Sequence, residues 1–136
     1  MSSRELDAER RKRSLEELER SAWGQPAQDS HLMTTCHRLR KKPIGEFSVE
    51  DLRIMVGQNI GLLFLVPMAL DVLERDPLAE GDFFPGDLLS SLLRADPGYW
   101  SRHEDQRHRL DRVIAGLMHV PAEVEADLAG SQRAKT

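Results

Sequence analysis

Apolar residues along this chain recur three or four apart, the spacing of helix faces, while alternating runs of the kind strands need are nearly absent. Leu32, Met33, Cys36 and Leu39 make one such stripe, opened by Ser30 as an N-cap and ending near Lys41, before Pro43 and Gly45. Ser48 gives the clearest helix start. Glu50 and Asp51 follow in the first turn, where the helix dipole favours negative charge, and Leu52, Ile54, Met55 and Val56 supply the buried side. Phe47 before the cap and Leu52 inside the helix have the spacing of a hydrophobic staple. Gly57 to Gly61 reads as a stop and turn. A second apolar helix then begins near Leu62 or Pro67 and ends at Arg75, because Asp76 precedes Pro77 and is pushed off helical angles. Its register, Met68, Leu70, Val72 and Leu73, marks it as the centre of the core.

Leu78 to Gly86 is rich in turn residues. Asp87 is placed to cap a helix from Leu88 to Arg94, with Leu88, Leu89, Leu92 and Leu93 facing inward. Asp96-Pro97 opens one long helix over Gly98 to Leu117, whose inward residues are Trp100, Leu110, Val113, Ile114 and Leu117. Pro121 starts a last short helix carrying Val124 and Leu128, and Ala129 to Thr136 reads as a disordered tail. At the other end, Ser2 to Trp23 balances six acidic against six basic residues. Ser14 and Glu17 have capping-box spacing there, but Leu15 and Leu18 supply only a narrow apolar stripe. That segment therefore reads as a solvated helix with little claim on the core. The pattern predicts an all-α protein, a compact single-domain bundle of about five to six helices. The bundle spans residues 31–128, with a charged N-terminal helical extension and linker over 1–30 and a disordered tail over 129–136.

Composition narrows the class. The chain has 136 residues, of which 40% are apolar and 31% charged, and a formal net charge of −4. That suits one modest core and lacks the basic footprint of a dedicated nucleic-acid binder. Cys36 is the single cysteine, so no internal disulfide can form. The longest apolar run, Ile60 to Leu70, is broken by Gly61 and Pro67 and falls short of the roughly 20 residues that span a bilayer. Arg4, Glu5, Asp7 and Glu9 stand where a secretory signal would need an apolar stretch. A cytoplasmic protein with no membrane association is the expectation.

No chemistry-bearing constellation emerges. His31, Cys36 and His37, and His103 with His108, lack the one-turn spacing of helix-borne metal ligands. Cys36 lies on an apolar register and reads as a small buried hydrophobe rather than a nucleophile. Asp71, Glu74 and His103 are not fixed together by any spacing. The expectation is no catalytic residue, no metal, no cofactor and no enzymatic activity. Charge distribution carries more information. From Glu46 to Asp87 there are nine acidic residues and two basic ones, Arg53 and Arg75, a net charge of −7. Helix caps account for Asp51 and Asp87. They do not account for Asp76, Glu80 and Asp82 gathered beside Phe83 and Phe84, both read as exposed. An acidic patch with aromatic anchors suits a basic protein partner, and the candidate contact set is Glu74, Asp76, Glu80, Asp82, Phe83, Phe84 and Asp87.

The same stretch carries a family likeness. Lys42-Pro43-Ile44-Gly45, Ser48-Val49-Glu50-Asp51-Leu52-Arg53, Gly57-Gln58-Asn59-Ile60-Gly61 and Leu65-Val66-Pro67 come in order, followed by Leu70, Leu73 and the run from Asp76 to Leu89. Together they resemble an α-helical family of immunity proteins from contact-dependent growth inhibition (CDI) systems, over roughly Met33 to Leu93. The N-terminal extension through Ser30 lies outside the likeness, and Phe84 stands where many relatives carry Tyr. The resemblance implies a cytoplasmic, stoichiometric inhibitor, not an enzyme, that binds and blocks the C-terminal toxin domain, often a nuclease, of a delivered effector. A second reading stays open beside it: a small helical adaptor or regulator that contacts nucleic acid through Arg38 to Lys42 and the run Arg10 to Arg13.

Overall fold

The computed structural model describes residues 2–24 and 30–135, with side chains through Ser131. The predicted linker around Pro26, residues 25–29, lies outside the described residues, as does Thr136. Among the described residues nine α-helices follow one another: α1 (Ser3–Arg11), α2 (Leu15–Glu19), α3 (His31–Leu39), α4 (Val49–Gly57), α5 (Leu62–Arg75), α6 (Asp87–Arg94), α7 (Pro97–Arg102), α8 (Glu104–Ala115) and α9 (Ala122–Lys135). A short 3-10 turn, Ile44–Glu46, precedes α4. Among the described residues there is no strand, only one isolated bridge between Glu80 and Pro85. The all-α expectation holds, with more and shorter helices than the pattern predicts.

Local signals set most boundaries. The hydroxyls of Ser14, Ser30 and Ser48 accept from Glu17 N, Met33 N and Asp51 N, and the first and last are completed as capping boxes by Glu17 and Asp51. Gly61, at φ +66, turns the chain into α5, which starts at Leu62 and carries Pro67 in its interior. The carbonyl that Pro67 leaves without a helical partner belongs to Leu63, exposed at 58%, so solvent can serve it.

The centre of the core is α6. Every residue from Asp87 to Leu93 is buried, because α4 packs on one side of this helix and α9 on the other. The small side chains of Ser90 and Ser91 let these neighbours approach, and Ser91 Oγ donates to the Asp87 carbonyl. The predicted centre, α5, contributes Leu65, Val66, Ala69, Leu70 and Leu73 to the same core and packs against α4 and α8. Met68 and Val72 are only partly buried.

Four expectations are corrected. Leu15 is fully buried, over Gly61, where a Cβ would come within 2.7 Å of a Leu15 methyl. Glu16 N donates to the Arg40 carbonyl and Ile44 N to the Arg13 carbonyl. The second half of the charged N-terminal segment thus belongs to the core, while α1 has no buried residue. Leu32, expected on the inner stripe of α3, is exposed. The long helix expected over 98–117 breaks at His103 (φ −133, ψ 60), whose Nδ1 lies 2.8 Å from the Tyr99 carbonyl and whose N–H bonds to the Trp100 carbonyl. The tail expected to be disordered is helical through Lys135, and Ser131 is buried.

Candidate functional site

The segment between α5 and α6 packs Leu78, Ala79 and Phe84 on the core and is closely held by polar bonds as well. Its anchor is Asp87. This residue does not cap α6, as the sequence suggests; Gly86 stands at that position with φ +91, and Asp87 is the first residue of the helix. Its carboxylate turns back into the loop and accepts from Gly81 N (2.7 Å), Phe83 N (3.0 Å) and Phe84 N (3.4 Å). Asp87 is 2% exposed, so removing it would leave several N–H groups unsatisfied.

A second carboxylate reaches in from α4. Glu50 accepts from Asp82 N at 2.9 Å and takes both Arg53 Nε (2.6 Å) and Arg53 Nη2 (2.5 Å). The bidentate bond from Arg53 holds the Glu50 carboxyl below the usual carboxylate range, against the opposing effect of burial. Arg53 Nε also lies 3.9 Å from the Asp87 carboxylate, and its guanidinium covers one face of the Phe83 ring at 4.4 Å. Loop, α4 and α6 are thereby joined in one polar network. A Cβ at Gly81 would press into the Glu50 carboxylate, so a larger residue there would have to displace that side chain from its bonds. Gly86 is more constrained: its φ of +91 favours glycine, and a Cβ would meet a Val124 methyl of α9 at 2.8 Å.

The seven residues singled out from the sequence separate into distinct environments. Glu80 and Asp82 are exposed, and Phe83 is exposed at 68% with its outer face free of Arg53. Asp76 is exposed at the end of α5, where its carbonyl accepts from Ala79 N. Phe84, read as exposed, is partly buried against the core. Asp87 lies beneath the loop as its organiser. Glu74 is drawn into another network: Arg109 of α8 donates to it at 2.6 Å and 3.0 Å and to Asp71 at 2.8 Å. Those bonds lower the Glu74 carboxyl and raise Arg109. Glu50 and Arg53 were not singled out. Their three-residue spacing shows an intrahelical pair, but nothing in it shows their reach to a loop some thirty positions on.

Part of the basic segments is occupied within the protein. Arg40 is 1% exposed, donates to Ser21 O and Glu19 and lies under Trp23 at 4.4 Å. Lys42 is bonded to Asp51 at 2.8 Å, and Arg11 to Asp71 at 3.2 Å. Cys36 is buried, which pushes its thiol up and away from nucleophilic use. No helix among the described residues is long and apolar enough to cross a membrane.

A family model described as CDI immunity proteins matches residues 17–110, well over half of the chain. This protein belongs to the CDI immunity protein family. The matched segment begins inside α2, so it takes in part of the N-terminal segment that the sequence likeness left out, and it contains the whole loop network. Among curated proteins and solved structures no match is found. Membership implies neutralisation of a cognate toxin as the role of the fold.

Proposed function

We propose that this protein binds the C-terminal toxin domain of a CDI effector and neutralises it by stoichiometric blockade in the cytoplasm, with the loop between α5 and α6 as the docking element. The observation that carries this reading is the loop's construction. Its backbone N–H groups are fixed from below by Asp87 and Glu50, while Glu80, Asp82 and the outer face of Phe83 point to solvent. A preformed loop loses little entropy on binding. Acidic side chains speed the approach of a basic partner, and an exposed aromatic ring supplies buried contact area. Asp76 extends the acidic rim, Phe84 and Asp87 hold the loop in shape, and Glu74 lies at the margin through its pairing with Arg109.

The adaptor reading has less support, because Arg40 and Lys42 of its basic segment are engaged internally. A titration tests the proposal. The toxin domain encoded beside this gene should lose its activity in proportion to added protein, with an endpoint at one equivalent. Full toxin activity in excess protein would remove the reading.

A further inference from the structure

Away from the acidic loop, the ends of α6, α7, α8 and α9 enclose an open cleft of about 610 Å³. That size falls in the range of sites that accept a compact ligand or a short stretch of chain. Leu93 and Pro97 line one side, with Trp100 buried to 6% exposure and its indole N–H held by the Leu92 carbonyl. The opposite wall is α9, whose Ala126 and Gly130 are too small to fill the space.

Arg107 lies at the cleft, 9% exposed, with Nε donating to Asp111 and Nη1 to Ser131 Oγ at 2.8 Å. Its Nη2 makes no hydrogen bond among the described residues. The guanidinium is already charge-matched by Asp111, and the rim mixes Arg94 and Glu104 with Asp127. Such a site suits a neutral acceptor with an apolar body better than a free anion or cation. A main-chain carbonyl beside an apolar or aromatic side chain has that chemistry.

Position adds to the argument. The α9 residue Val124 packs at Gly86, the last residue of the acidic loop, and Ala126 and Gly130 follow within two turns of the same helix. At 1.5 Å per residue, the cleft lies about 10 Å along α9 from the base of the loop. A standard interface of about 800 Å² per partner is wider than that axial distance. One wall of the cleft, through Leu110, lies within the segment that matches the family, and the other, α9, lies beyond it.

We infer that this cleft is a second contact for the cognate toxin, taking a short segment whose apolar side chain lies against Trp100 and whose carbonyl accepts from Arg107. The inference rests on the proposed neutralising role. Ala126 is exposed on the cleft wall, so Ala126→Trp fills the space without entering the core. With the toxin domain encoded beside this gene as probe, A126W should weaken binding at least tenfold and leave the thermal midpoint unchanged. A photocrosslinking side chain at Ser101, on the opposite rim, should capture the toxin in the intact complex, and this readout decides if A126W unfolds. Undiminished binding by a folded A126W overturns the inference, as does a Ser101 crosslink only to a second copy of this chain. Binding lost on charge reversal at Glu80 and Asp82 but kept in A126W rejects the cleft alone. A wild-type protein that binds no toxin rejects the neutralising role as well.

Discussion

Helix α1 and the loop between α5 and α6 both present charge to solvent, but α1 has six charged residues in nine while the loop has three in eleven beside Leu78, Ala79, Phe83 and Phe84, and the fold treats them oppositely. α1 has no buried residue, and among the described residues its side-chain bond to the bundle is Arg11 to Asp71, with both side chains nearly half exposed. Such a pair contributes about 0–1 kcal/mol. The loop is held by carboxylates that are themselves buried or half-buried and that accept its N–H groups directly. Two things separate them: the loop packs Ala79, Leu78 and Phe84 on the core, and its organising charges are withdrawn from water and multiply bonded, where an unsatisfied group is costly and a solvated one is not.

The largest effect should come from the border between the two kinds of segment. Leu15→Ala is expected to lose about 2–5 kcal/mol, because a fully buried side chain over Gly61 is removed. Removing residues 2–11 should lose less than about 1 kcal/mol. Urea denaturation of both variants checks the contrast, and equal losses would break it. Asp87→Ala comes next, at about 2–4 kcal/mol, since it strips the acceptor from three loop N–H groups and leaves Arg53 short of a counter-charge. Hydrogen exchange sharpens this prediction. Amides of Gly81 and Phe83 should be protected in the native protein and lose that protection in the variant, while amides of the first turn of α1 exchange fast in both.

Acid should act more gently. The Glu50 carboxyl is held below its usual range by Arg53. For Asp51, burial pushes upward, but bonds from Lys42 and Ser48 outweigh it and the net direction is also down. A carboxyl lowered in the folded state contributes stability that is complete above its unfolded value, about pH 4–4.5, and lost as pH falls through the folded value. The unfolding midpoint measured in urea should therefore be flat near neutrality and decline below about pH 4.5. A midpoint that rises with acid would contradict the assignment.

Much of the fold was legible because its signals are local. The serine caps, Gly61 and the Asp76-Pro77 stop each act within a few residues, and α3, α4 and α5 lie close to where those signals put them. The misreadings share a cause in longer-range contacts. Leu15 shows only a narrow stripe, and its burial depends on Gly61, forty-six positions later. The break at His103 arises from its bonds to the Tyr99 and Trp100 carbonyls in a run whose apolar period continues across it. Asp87 has the spacing of a cap, yet its carboxylate serves the preceding loop, because Gly86 at positive φ turns the chain that way. In the candidate site, the acidic and aromatic residues were visible as a cluster. The sorting of Glu80, Asp82 and Phe83 outward from Asp87 and Phe84 inward was not.

The most direct test of the account is the association rate of the cognate toxin domain with wild-type protein and with the double variant Glu80→Lys/Asp82→Lys, measured across ionic strength. Both residues are exposed, so the fold should survive the change. If the loop is the docking element, the variant should associate at least tenfold more slowly at low salt, with the gap narrowing as salt screens the charges. Equal rates for the two proteins at low salt would contradict it.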